Sequence, residues 1–364
     1  MAHYAVHPGL RAFLASHLEL DPQAFLWPVV ADVTVGCNLA CTMCFNSERV
    51  TRRFADDAVF RALEANVLPH TNDLAFGCRH EPMLHPQFPS ALASLRQTID
   101  DRRLAARLCV LTSGTLLSPE TSALLLDARP HTVLLSIDTT NPQAYAAVRR
   151  PAHWEELRAN LDHFLPQARE RGVSVTVNMV LLRTTLPHVS ESIQTFAELG
   201  LREVHLSQAA GVPGLGTAEL LVRHGADALA IETEMAKASA AAKACGVSLW
   251  QPDDAPPVLP GEMRVVRNGA TPWDEAELAR EPGSVCVAPW SKLRVDHEGY
   301  VFPCEFAMNP KSAWGNIVTT PFADIVNGSR ARETREKLLA GIAPMSACQR
   351  CPFGPGSRQP GADA

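Results

Sequence analysis

Seven cysteines stand where they could hold metal. Cys37, Cys41 and Cys44 fall in the stretch GCNLACTMCFN, spaced Cys-x3-Cys-x2-Cys, directly after the apolar run VVADVTV. Cys286, Cys304, Cys348 and Cys351 gather near the other end, two in CVAPWSKLRVDHEGYVFPC and two in CQRC. Thiolates are soft ligands, suited to iron–sulfur clusters or to zinc. The first group is one ligand short of a closed tetrahedral site. No nearby histidine completes it, because His70, His80 and His85 are the closest and follow a predicted helix. A [4Fe-4S] cluster tolerates the deficit, since its fourth iron can take an external ligand. The second group counts four, enough to close either a cluster or a zinc site.

Disulfides do not explain these thiols. The 364 residues carry ten cysteines, but no uninterrupted apolar stretch has signal-peptide length and none approaches a membrane span. A cytoplasmic location is expected, where thiols stay reduced. The formal charge of −6 and the absence of basic runs interleaved with aromatics argue against nucleic acid as a partner, and no membrane partner is expected. An apolar content of 46% with 20% charged residues is that of a globular protein large enough for one α/β domain and a smaller appendage.

The elements that must position the cysteines follow from periodicity. Apolar, β-rich runs at 29–35, 73–77, 107–113, 132–138, 173–182 and 203–209 alternate with amphipathic stretches such as DDAVFRALEANV, PSALASLRQTID and HWEELRANLDHFLPQARERG. Six β/α units in series imply parallel strands joined by right-handed crossovers. The expected fold is α/β, a partial (β/α)6 TIM-like barrel with its chemistry at the C-terminal ends of the strands. Division of the chain is expected at 1–28 (helical extension), 29–250 (barrel), 251–285 (linker rich in proline and charge), 286–354 (β-hairpin plus helix) and 355–364 (disordered tail). In the hairpin, DHEG supplies the turn, with Gly299 presenting Cys286 and Cys304 on one side.

With its first thiol loop placed after strand one, the chain resembles the radical SAM superfamily. In that family three cysteines at this spacing hold a [4Fe-4S] cluster, and S-adenosylmethionine (SAM) chelates its open iron. The resemblance implies reductive cleavage of SAM to methionine and a 5'-deoxyadenosyl radical, which abstracts a hydrogen atom from substrate. It also implies an electron donor such as flavodoxin or ferredoxin. GCRHEPMLHP after strand two resembles the family's Gly-Gly-Glu-Pro turn, which puts Gly77 and Glu81 at the SAM amine; Cys78, Arg79 and His80 separate the two, a departure from the pattern. LTSGTLLS places Ser113 where the family has asparagine. SIDTTNPQAYAAVR resembles the segment near the SAM ribose or substrate, which nominates Ser136, Asp138 and Arg149, the last for the SAM carboxylate. Asn178, Ser207 and Gln208 are polar residues in later strands, and GVPGLG (211–216) is read as a turn near the adenine or substrate.

The second thiol group, followed by GNI and a terminal CxxC, resembles the SPASM and twitch auxiliary-cluster domains. No further cysteine follows Cys351, so the single-cluster twitch version is the closer match, and the resemblance implies a second [4Fe-4S] cluster. Two clusters suit oxidation, with the auxiliary one taking an electron, or epimerisation, if a thiol returns a hydrogen atom. Cys78 is the leftover thiol that topology places best for chemistry, with Asp138 the other catalytic nominee. The 36 residues before Cys37 read as one helix with a short lead-in. That tilts the expected substrate toward a small polar metabolite such as a sugar or aminocyclitol, the alternative being a peptide or protein.

Overall fold

A computed structural model describes residues 4–5, 10–22, 25–44, 51–209, 219, 221, 227–250, 285–349 and 351. β1 (Tyr4–Ala5) and α1 (Leu10–Ala15) come first, and β2 (Trp27–Ala31) begins the main sheet. β3 (Thr34–Val35) and β4 (Arg53–Phe54) pair antiparallel and bracket the first cysteine loop. There follow α2 (Asp57–Ala62), β5 (Thr71–Phe76), α3 (Phe88–Arg102), β6 (Arg107–Thr112), α4 (Pro119–Asp127), β7 (Thr132–Ser136), α5 (Pro142–Val148) and α6 (Trp154–Glu170). Next come β8 (Ser174–Leu181), α7 (Val189–Glu198), β9 (Glu203–Gln208), α8 (Ala228–Cys245) and β10 (Ser248–Trp250). The C-terminal region holds β11 (Val285–Cys286), α9 (Ala288–Ser291), β12 (Leu293–Val295), β13 (Tyr300–Phe302), β14 (Gly315–Asn316), α10 (Phe322–Val326), α11 (Ser329–Leu339) and α12 (Ser346–Gln349).

One sheet runs β10-β9-β8-β7-β6-β5-β2-β12-β13-β14. From β2 to β10 its strands are parallel and in chain order, the topology of a partial (β/α) barrel. Val110, Val133, Leu135, Val177, Met179 and Val204 are fully buried, while Ala75, Cys109, Leu111, Leu134, Ser136, Asn178 and Val180 alternate with the buried set and are only half-buried. Side chains alternate across a strand, so one face packs under the helices and the other lines the barrel interior. The helices begin where short polar caps appear: Asp56, Ser118 and Asn141 accept from the amides of Val59, Thr121 and Ala144, with Pro119 and Pro142 at the first helical position.

Three expectations change. The run at 29–35 is not one strand; it breaks around Asp32, whose amide donates to Val295 and whose carboxylate takes the Arg79 amide. Cys286 and Cys304 do not share a hairpin. The hairpin is β12–β13, whereas Cys286 sits on β11, paired with β1 in the register Tyr4 to Cys286. The hairpin also extends the barrel sheet, because β12 lies parallel beside β2. Finally, the C-terminal helical stretch divides at Gly328, where a Cβ would lie 2.9 Å from the Asp324 carbonyl. The expected DHEG turn is present: Gly299 has φ +84° and Asp296 Oδ1 accepts the amides of Glu298 and Tyr300. Most of the nominated linker, the tail at 355–364 and the 211–216 loop lie outside the described residues.

The N-terminal segment packs on the C-terminal region. Trp290 Nε1 donates to the His17 carbonyl (2.9 Å) and Arg335 Nη1 to the Leu18 carbonyl (2.8 Å). Asn327 exchanges two hydrogen bonds with the Leu20 backbone.

Candidate active site: an open and a closed thiol group

The first thiol group leaves the sheet at Gly36. Its φ of +112°, and a Cβ position 2.9 Å from the Thr51 carbonyl, make glycine necessary there. Cys41 is buried, and Cys37 and Cys44 are half-buried. Burial pushes the Cys37 thiol up to about 11, with Glu81, Cys41 and Cys44 adding to the rise and the Leu39 amide opposing it. The Cys41 thiol is also raised by burial, and Arg149 is the chief influence pulling it back. Cys37 and Cys41 lie close enough to Cys44 to feel its charge, and ligation of a metal by a thiol displaces its proton.

Around the loop, the ends of β5, β6, β7 and β8 contribute residues. Gly77 (φ +89°) lets the turn after β5 pass the β6 backbone, since a Cβ would fall 2.4 Å from the Leu111 carbonyl. Glu81 is 2% exposed. Its amide donates to the Gly36 carbonyl, and its carboxylate accepts from Thr112 Oγ1 (2.8 Å), Ser113 N (2.9 Å), Ser113 Oγ (2.8 Å) and Met83 N (3.2 Å). A carboxylate offers about four acceptor positions, so these donors fill it. The resemblance sends Glu81 to the SAM amine and Ser113 to an asparagine's role; in the structure the two are spent on each other, clamping the ends of β5 and β6. Burial raises the pKa of Glu81 despite those donors.

Asp138 and Arg149 are likewise engaged together. Arg149 Nε and Nη2 reach Asp138 at 2.6 and 2.8 Å, and the Val180 amide donates to Asp138 Oδ1 at 2.9 Å. Arg149 lies close enough to the Cys41 sulfur to pull its pKa down. Burial opposes the arginine's charge, yet Asp138 and Cys41 outweigh it and hold its pKa above the ordinary value. Arg149, nominated for the SAM carboxylate, therefore already holds a buried partner. Ser136 stands opposite Asn178 in register on the half-buried face.

The second thiol group is closed by count. Burial pushes Cys286 well above its ordinary value, with Cys304, Cys351 and Cys348 all contributing, so the four thiols share one neighbourhood. Burial likewise raises Cys304 and Cys348 to about 11. Among the described residues, no three His, Cys, Asp or Glu side chains converge as a single-ion site; thiol sets of three and four are donor sets that iron–sulfur clusters take.

Between the two groups lies a charged junction that sequence reasoning missed. Arg294, on β12 and 2% exposed, donates from Nη2 to the exposed Cys78 sulfur at 3.1 Å. Lys292 pairs with Glu305 at 3.0 Å, immediately after Cys304, and Arg79 Nη1 donates to the Glu305 carbonyl. Asp32 Oδ2 and Arg294 Nε and Nη1 are buried without hydrogen-bond partners among the described residues. The available signal was a charged residue inside an apolar run: Asp32 in VVADVTV and Arg294 in KLRVD. Of the nominated residues, the structure gathers Gly77, Glu81 and Ser113 with the first loop, Asp138 and Arg149 beside Cys41, and Cys78 at the junction.

Known proteins supply the context. The radical SAM superfamily model matches residues 32–196, and that of the iron–sulfur cluster-binding domain SPASM matches 286–352. GTP 3',8-cyclase of Chlorobaculum tepidum is 29% identical over 173 residues, which are 46% of this chain and 48% of the cyclase. The match thus spans about half the length of that curated relative. Among solved structures, Streptococcus suis SuiB bound to S-adenosylmethionine has a TM-score of 0.63 at 16% identity, covering 94% of this chain and 73% of SuiB. The structure of anSMEcpe with bound AdoMet has a TM-score of 0.64 at 16% identity, covering 90% and 83%. At that identity the likeness speaks for the fold. No described helix is long and apolar enough to cross a membrane. Residues 32–196 thus form a radical SAM domain and residues 286–352 a SPASM iron–sulfur cluster-binding domain, a pairing that implies a SAM-binding [4Fe-4S] cluster and auxiliary iron–sulfur clusters.

Proposed function

We propose that this protein is an oxidoreductase that takes a hydrogen atom from a carbon of a small polar metabolite, such as a sugar or aminocyclitol, and passes an electron on through the C-terminal thiol site. The observation that carries this reading is the pair of thiol groups, three in the loop between β3 and β4 and four in the C-terminal region whose hairpin, β12–β13, continues the main sheet beside β2. Cys37, Cys41 and Cys44 would hold the SAM-binding cluster, and Cys286, Cys304, Cys348 and Cys351 the auxiliary one. When bound, the first cluster with SAM supplies reductive SAM cleavage and hydrogen abstraction; a donor of the flavodoxin or ferredoxin class would provide the electron.

The chain's own residues do the positioning. Glu81 ties the thiol loop at Gly36 to the ends of β5 and β6, and Gly77 lets those backbones approach. Asp138 and Arg149 fix the other side of the loop. Ser136 and Asn178 offer hydroxyl and amide groups on the interior face, suited to a substrate rich in hydroxyls. Cys78, held by Arg294, is the exposed thiol at the charged junction. The protein acts in the cytoplasm on this reading.

A peptide substrate is the second reading, favoured by SuiB and anSMEcpe having been solved with a precursor peptide and with the Cp18Cys peptide. The deciding experiment adds SAM and a low-potential reductant to the reconstituted protein with either the low-mass or the peptide fraction of a cell extract, and measures 5'-deoxyadenosine. Stimulation by the low-mass fraction is expected. Stimulation by peptides alone overturns the metabolite assignment, and solvent deuterium in the product overturns oxidation in favour of epimerisation.

A further inference from the structure

Behind Cys41 lies a buried hydroxyl with no described use. Tyr145 is 0% exposed, and its hydroxyl has no hydrogen-bond partner among the described residues. It sits within electrostatic reach of Arg149, Asp138 and Cys41. A phenylalanine would fill the same apolar space without leaving a buried polar atom unmatched, and an unmatched hydroxyl costs free energy. The surroundings are rigid. The Arg149 amide donates to the Tyr145 carbonyl at 2.8 Å, the Thr42 amide to the Val148 carbonyl at 2.9 Å and the Ala40 amide to the Arg150 carbonyl at 2.5 Å. The backbone on both sides of Cys41 is therefore strapped to the C-terminal end of α5, the helix that carries Tyr145 and is capped by Arg149.

We propose that Tyr145 and Arg149 are positioning residues that tune the reduction potential of the SAM-binding cluster, Arg149 by donating to the Cys41 sulfur and the Tyr145 hydroxyl by donating to sulfur of the bound cluster. Hydrogen bonds to cluster sulfurs and nearby positive charge stabilise the more negative, reduced state and raise the potential. Asp138 takes two of the guanidinium's donors and offsets its charge, so the effect is graded: donors reach the thiol while little net charge is added. The inference rests on Cys37, Cys41 and Cys44 being the ligands of that cluster.

The test is a potentiometric titration followed by electron paramagnetic resonance on the fully reconstituted protein, reading the signal that changes when SAM is added. Tyr145→Phe is expected to lower the reduced-to-oxidised ratio at fixed potential by about threefold or more, about 30 mV or more at 59 mV per tenfold for one electron. The thermal midpoint of the metal-free Tyr145→Phe protein should be unchanged or higher. Arg149→Lys keeps the charge but loses the planar fork, and should lower the potential less than the double variant Asp138→Asn/Arg149→Gln. An unshifted potential in both Tyr145→Phe and Arg149→Lys overturns the proposal, as does a metal-free Tyr145→Phe protein that melts lower, since that would show the hydroxyl already bonded. Failure of the underlying assignment reads differently: the SAM-sensitive signal would then survive replacement of Cys37, Cys41 and Cys44 together.

Discussion

The open thiol group and the closed one are built by different means. The open group sits on a loop held from outside, by Glu81 at one flank and by the Asp138–Arg149 pair at the other, with both carboxylates buried and accepting from four and three donors respectively. The closed group is assembled from three separate pieces: the β11 ribbon, the turn after β13, and the CQRC stretch that begins in α12. Thiols of the open group share one short segment, so their spacing is local and strand ends fix their direction. Those of the closed group meet only when distant segments dock. A local loop with a buried polar frame suits a site that must leave one position free for a cofactor; a docked set suits one in which every position is taken by protein.

The largest expected effect separates the two sites outright. Replacing Cys37, Cys41 and Cys44 with Ala should abolish 5'-deoxyadenosine release, and persistence of that product would refute the assignment of the open site. Replacing Cys286, Cys304, Cys348 and Cys351 should lower iron from about eight to about four per chain and stop turnover while SAM cleavage continues. Loss of SAM cleavage in that variant would mean that the two sites are not separable.

Smaller substitutions sharpen the contrast between frames. Glu81→Gln keeps the shape but turns one acceptor into a donor facing donors, which should cost about 2 kcal/mol in urea unfolding of the metal-free protein; a change within error would show that the clamp does not bear on stability. At the closed end, burial raises the Asp296 carboxyl to about 6, against the Tyr300 and Glu298 amides that it accepts. Its folded pKa exceeds the unfolded value, near 3.9. Its contribution is thus complete below about pH 4 and lost as pH rises through about 6. Asp296→Asn should flatten that dependence and stabilise at pH 7 by less than about 1 kcal/mol after screening. Unfolding midpoints measured across pH 4–7 decide it.

The parallel strands were legible because each is a short apolar run set off by a helical period, and the DHEG turn because Gly299 must take a positive φ. The cysteines were legible from spacing alone. What periodicity could not carry was pairing between distant segments. Nothing in the residues around Cys286 announces that Tyr4 lies opposite, and nothing in KLRVD announces β2 as a neighbour. The occupancy of Glu81 and Arg149 was hidden for the same reason: whether a buried charge is free or spent depends on register, through Thr112, Ser113 and Val180. Tyr145 carries no signal in the sequence, since an unmatched hydroxyl is visible only once its surroundings are known.

The seat of β12 beside β2 bears on how the chain comes off the ribosome. The inner side of β2 gains its partner, β5, within about fifty residues, but its outer side waits for Leu293 to reach Val29. A nascent chain with β2 to β10 already made still shows a bare strand edge next to the first cysteine loop, the kind of surface that recruits wrong partners. A strand made late, β12, thus covers one made early, β2, and a synthesis halted before β12 leaves that side of the sheet unguarded.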